Sequence, residues 1–203
     1  MLENNMAAKR RRAMVLGALV VGGLLIVGVL ARPADTAQRT GNAQPSPSQA
    51  VAMRLDKPEK FLSGWPESKN RKWRNAAQQS VGALKTLLDG DATSAVATAY
   101  TTADDKYTIV VSGVSGKVPN PTAALDRIFA TLPRLSEVKP TRPGPMGGEA
   151  RCGKGEDQGV WVNTCAWADD YSIGMVAFIG FPQTGDPDDM FVRARSQIEH
   201  PVA

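Results

Sequence analysis

Residues 13–31 form a run of nineteen without a charge, AMVLGALVVGGLLIVGVLA, and that run constrains the chain more than any other feature. At about 1.5 Å of rise per residue a helix over it would be roughly 28 Å long, close to the hydrocarbon thickness of a bilayer. The sequence therefore predicts one transmembrane helix over 13–31. Lys9, Arg10, Arg11 and Arg12 precede it, with Glu3 the only acid before the run. Basic residues beside a first span stay cytoplasmic, so the expected topology is a basic inner tail (1–12), the span, and the rest of the chain outside the cell. The span holds no ionisable residue and reads as an anchor rather than an ion path. A cleaved export signal is the alternative, with Val29-Leu30-Ala31 as its cut site. Against it, the run exceeds the about 7–15 apolar residues of such signals, and Arg32-Pro33 is a poor start for a mature chain.

Formal net charge is +4, yet the first 31 residues hold four of the 24 basic groups and one of the 20 acids. Twenty basic and nineteen acidic groups remain outside, too even a balance for a nucleic-acid-binding surface, and no nucleic-acid partner is expected. Cys152 and Cys165 are the only cysteines. An even pair outside the reducing cytosol is most economically a disulfide, here closing a loop of fourteen residues. Two thiolates and the single His200 do not make a metal site, and a lone His near the C-terminus does not support Ser-His-Asp or Cys-His chemistry. Neither metal nor cofactor is expected.

Residues 32–54 contain Pro45-Ser46-Pro47-Ser48 and no apolar periodicity, the composition of a disordered linker. Residues 55–203 match the size of one extracytoplasmic domain. Trp73, Ala77, Val81, Leu84 and Leu88 recur at helical spacing within 66–89, closed by Asp89-Gly90. The runs 92–100 and 107–112 flank Ala103-Asp104-Asp105-Lys106 and read as a hairpin. Asn120-Pro121 caps and opens a second helix bearing Leu125, Ile128, Phe129 and Leu132. A three-stranded meander is expected over 146–180, with Trp161, Asn163, Cys165 and Trp167 on one face and Cys152 on the adjoining strand. Asp186-Pro187-Asp188-Asp189 opens a last helix with Phe191, Ala194 and Ile198 on one side. The order helix, two strands, helix, three strands, helix predicts an α+β fold. It consists of the N-terminal transmembrane helix, a linker, and one small domain whose antiparallel sheet is packed by about three helices.

Three features invite a chemical reading. The pairs Asp104-Asp105, Asp169-Asp170 and Asp188-Asp189 fall at turns or helix starts, where Asp serves local hydrogen bonding. Gly144-Pro145-Met146-Gly147-Gly148 lacks the Lys-Ser/Thr of a phosphate cradle and reads as a turn. Lys57, Lys60, Lys69, Arg71, Lys72 and Arg74, interleaved with Phe61, Trp65 and Trp73, form the one local excess of positive charge and aromatics. They are a candidate contact for anionic headgroups or acidic wall polymers, against the plainer reading of a solvated helix face with Trp73 turned inward.

Cys152-Gly153 with Cys165-Ala166-Trp167-Ala168-Asp169, followed by Ser172-Ile173-Gly174-Met175-Val176, resembles small membrane-anchored exported proteins of actinobacterial type. Pro58-Glu59, Leu62-Ser63-Gly64-Trp65-Pro66 and the Asn120-Pro121 helix start extend the likeness to roughly 57–198. The resemblance implies a disulfide-bearing extracytoplasmic domain and implies no activity. The chain departs from lipid-anchored members in having no lipobox Cys at the end of the apolar run.

The functional expectation is a non-enzymatic, membrane-tethered extracytoplasmic module that binds or senses something in the cell envelope, with an envelope protein as candidate partner. Oligomeric state is not written in the sequence. The alternative is an envelope hydrolase using carboxylates and a serine such as Ser112 or Ser172. A transmembrane regulator fits less well, because twelve inner residues cannot fold as a domain.

Overall fold

The computed structural model describes residues 52–62, 64–132, 134–182 and 187–202. The inner tail 1–12, the span 13–31 and the linker as far as residue 51 lie outside the described residues. Eleven elements follow one another. They are β1 (Met53–Leu55), α1 (Arg71–Lys85), β2 (Ser94–Thr101), β3 (Thr108–Ser115), α2 (Pro121–Ala130), β4 (Leu135–Pro140), β5 (Glu149–Asp157), β6 (Val160–Ala168), β7 (Ser172–Ile179), α3 (Pro187–Ile198) and β8 (Glu199–Pro201).

This corrects the expected fold class. Sheet dominates: six strands form one antiparallel sheet in the order β2-β3-β7-β6-β5-β4, and β1 pairs with β8 in a second, two-stranded sheet. Among the described residues no helix is long and apolar enough to cross a membrane. The reading from sequence found five strands and missed three, for a physical reason. β1 and β8 have three residues each, too few to display alternation, and β4 is an exposed edge strand whose Ser136, Glu137 and Lys139 carry no apolar period. A bulge between Ser136 and Lys139 further interrupts its pairing with β5, a device that guards sheet edges.

Both sheet faces are covered. On one, α1 lays Ala77, Val81 and Leu84, and α2 lays Ala124, Leu125 and Ile128, against Val110, Val114, Ala166, Ala168 and Ile173. On the other, α3 contributes Phe191, Ala194 and Ile198, β1 contributes Leu55, and the segment after β1 inserts Phe61, which stacks on Tyr100 at 4.3 Å. Asn70 caps α1 by accepting from the Lys72 amide, and Asn120 caps α2 by accepting from the Ala123 amide, ahead of Pro121. The first helix thus starts five residues later than its Pro66 onset in sequence suggested.

Trp167 is fully buried at the centre of the second face. It lies opposite Gly174 in the β6–β7 register, and Gly174 lies opposite Gly113 of β3. A Cβ at Gly174 would sit 2.2 Å from the Trp167 ring, so the indole occupies the space that the glycine leaves. Cys152 and Cys165 are directly opposed in the β5–β6 register and joined as a disulfide, S–S 2.00 Å, as the cysteine count suggested.

Candidate functional site

A concavity lies between the C-terminal turns of α1 and α2, against β7 of the sheet. It encloses about 470 Å³, in the range of about 300–1,000 Å³ typical of small-molecule sites. Leu84, Leu87, Ile128 and Leu132 form its walls and Met175 of β7 its floor. The helix ends could have filled this space with bare carbonyls, but two threonines prevent that. The Thr86 hydroxyl donates to the Ala83 carbonyl at 2.7 Å and the Thr131 hydroxyl to the Ile128 carbonyl at 2.7 Å. Each threonine also donates its backbone N–H to the last turn. The Ala83 and Ile128 carbonyls are thereby covered, and the groove between the helices is largely apolar. Arg127, exposed on α2, borders it and has no acidic partner among the described residues.

The six basic residues singled out from sequence occupy the approach to α1 and its first turn, and all six are exposed. Lys57 pairs with Glu67 at 2.9 Å, and that contact holds the Glu67 carboxyl below its ordinary range. Arg74 donates to the Lys69 carbonyl at 3.4 Å, and the Lys72 ammonium rests 4.7 Å from the Trp73 ring centre. Lys69, Arg71, Lys72 and Arg74 cluster by adjacency, and no acid shares the first helical turn. Positive charge there opposes the helix dipole, so helix stability does not account for it. Of the aromatics between them, Phe61 is core, Trp65 stacks on Phe181, and Trp73 packs half-buried against the Ala77, Ala99 and Val110 cluster. A smaller hollow of about 220 Å³ beside Lys72 and Trp73 is lined by Val160, Val162 and Ile179.

The serines of the hydrolase alternative are interior. The Ser112 hydroxyl donates to the Ala77 carbonyl at 3.2 Å and fastens α1 to β3. Ser172 belongs to a buried polar cluster that the sequence reading missed. Arg195 of α3 and Glu199 of β8 are both buried, and Arg195 Nε donates to Glu199 Oε2. The same guanidinium donates to the carbonyls of Pro143 and Gly147, at 2.9 and 2.8 Å, and to Asp169 Oδ2 at 2.9 Å. The glycine-rich stretch is thus a turn that, with Pro143 just before it, presents two carbonyls to a buried cation. Asp169 Oδ1 accepts from the amides of Tyr171 and Ser172, both at 2.8 Å, and shapes the β6–β7 turn.

Ser172 Oγ accepts from Trp167 Nε1 at 3.1 Å and meets two carboxyl oxygens, Asp169 Oδ2 at 2.7 Å and Glu199 Oε1. One hydroxyl hydrogen cannot serve both, so a second proton must sit between Ser172 and one carboxyl. Burial pushes the Glu199 carboxyl up from its ordinary value of 4.5, the direction that favours the proton on Glu199. A neutral Glu199 donating to Ser172 Oγ leaves Arg195 balanced by Asp169 alone, and the cluster carries no net buried charge.

The strand face of Trp161, Asn163, Cys165 and Trp167 divides along its length. Trp167 is inaccessible, whereas Trp161 is 46 % exposed near the free end of the β5–β6 hairpin. The Asp104-Asp105 turn is local: Asp104 accepts from the Thr102 hydroxyl and the Lys106 amide. Set against models of protein families, curated proteins and solved structures, the chain finds no match in any of the three.

Proposed function

We propose that this chain is an extracytoplasmic binding or accessory module of the cell envelope, held at the membrane by its N-terminal apolar segment. The observation that carries the reading is the open, largely apolar groove between α1 and α2, where threonine hydroxyls cover the Ala83 and Ile128 carbonyls. The disulfide supports an oxidising location. The exposed basic approach to α1, placed where it disfavours the helix, supports contact with an anionic envelope surface through Lys57, Lys60, Lys69, Arg71, Lys72 and Arg74. The hydrolase alternative would need Ser112 or Ser172 at an open surface, and both hydroxyls are buried and committed to internal bonds.

A photoreactive residue in place of exposed Ala83, at the groove, tests this in living cells, with the exposed position Asp105 in the β2–β3 turn as the control. Protein or lipid adducts concentrated at position 83 are expected. Equal yields at both positions would refute the groove as a binding site.

A further inference from the structure

We infer that the groove between α1 and α2 takes the acyl chain of an anionic amphiphile whose head pairs with Arg127; this rests on the binding-module reading above. The lining is of two kinds and they are spatially separated. Leu84 and Ile128 are almost wholly buried beneath it, Leu87, Leu132 and Met175 are partly open to it, and together they offer a continuous apolar bed. Met175 adds a flexible, polarisable floor that adapts to chains of different shape. At the border stands one charged group, Arg127, without an acidic partner among the described residues, while its neighbour Asp126 is taken by Arg151 at 2.5 Å. A guanidinium so placed binds a carboxylate or phosphate through two parallel N–H donors.

The remaining polar groups decide the sign of the head. Thr86 and Thr131 have given their hydroxyl hydrogens to Ala83 and Ile128, and the neutral Ser80 hydroxyl also lines the groove, so among the described residues Arg127 is the one charged group on it. Those bonds also cover helix-end carbonyls that would otherwise repel one. A neutral lipid would gain the apolar bed but leave Arg127 unused. An extended peptide would need acceptors for its own backbone donors along the groove, and most of its lining is apolar side chains. The chemistry fits a single acyl chain with a carboxylate or phosphate head.

The test uses the full-length chain with phosphatidylcholine vesicles containing a diazirine-bearing long-chain fatty acid, or the corresponding alcohol, followed by photolysis and peptide mapping. Labelling by the acid should concentrate in residues 80–87 and 127–132 and exceed that by the alcohol by about twofold to fivefold, the factor expected for one exposed ion pair. Arg127→Gln should remove that preference, and Ala83→Trp, at an exposed helix position, should fill the groove and abolish labelling while the helical circular dichroism is retained. Equal labelling by acid and alcohol, unaffected by Arg127→Gln, would overturn the anionic class and leave the groove a binding site. Absence of label from both segments would overturn the inference outright. Protein adducts at position 83 in cells would in that case still uphold the binding-module reading.

Discussion

Replacing Glu199 by Gln distinguishes two electrostatic descriptions of the buried cluster. If Glu199 were an anion, the change would strip Arg195 of a buried counter-charge, and breaking such a pair costs about 3–5 kcal/mol. If Glu199 is the neutral donor to Ser172 Oγ, the amide takes its place: N–H donates to Ser172 and the carbonyl accepts from Arg195 Nε. One surplus amide hydrogen then costs about 1–2 kcal/mol at acid pH. The two cases also differ in their dependence on pH. The unfolded glutamate releases its proton near 4.5, while the folded one, buried, holds it to higher pH. The native state then binds more protons than the unfolded state, so wild-type stability is fully present below 4.5. As pH rises above that value the stability declines by about 1.4 kcal/mol per pH unit, until the folded carboxyl ionises. Glu199→Gln lacks that slope. Urea unfolding followed by tryptophan fluorescence, from acid to neutral pH, should find the variant gaining on wild type as pH rises. Subtracting the two curves cancels titrations such as that of Glu67, whose lowered carboxyl acts in the opposite direction. A flat difference, or a uniform loss of about 3–5 kcal/mol, would refute the proton assignment.

Cys165→Ala should cost about 3 kcal/mol, by the loop-closure entropy of a cross-link spanning 13 positions. This would lower the thermal midpoint by about 6–12 °C in a calorimetric scan, and an unchanged midpoint would mean the bridge is not structural. Gly174→Ala places a methyl 2.2 Å from the Trp167 ring and 2.8 Å from the Ser112 carbonyl, with a fully buried indole unable to turn aside. It should lose about 3 kcal/mol or more in denaturant titration, and a loss below about 1 kcal/mol would contradict the packing described.

Legibility in the sequence followed the strength of local signals. Asn120-Pro121 both caps and starts α2, and the period of Phe191, Ala194 and Ile198 identifies the buried side of α3. That same period held an unread clue. Arg195 stands between Ala194 and Ile198 on the apolar side, four residues before Glu199, and a charged residue on a buried helix face requires buried partners. Its other partners, Asp169 and the carbonyls of Pro143 and Gly147, are distant in sequence, and no local pattern announces them. The groove was illegible for a similar reason. It depends on where the ends of α1 and α2 come to lie over Met175 of the sheet, although the repeated Thr-Leu at 86–87 and 131–132, each closing a helix, is visible in the letters. β4 escaped because an edge strand needs no apolar alternation to pair.

The pairing of β1 with β8 sets the order in which the domain can close. Leu55 is bonded opposite Glu199, so the domain's leading strand has no partner until its last residues have been made. The β2–β3 hairpin and the β4–β7 meander join strands adjacent in the chain and can form early, whereas β1 must wait. The residue that completes this ribbon also brings the carboxyl that shares its proton with Ser172. Closure of this ribbon therefore also settles the strand that offers the Arg195 Nε its buried acceptor, Glu199 Oε2.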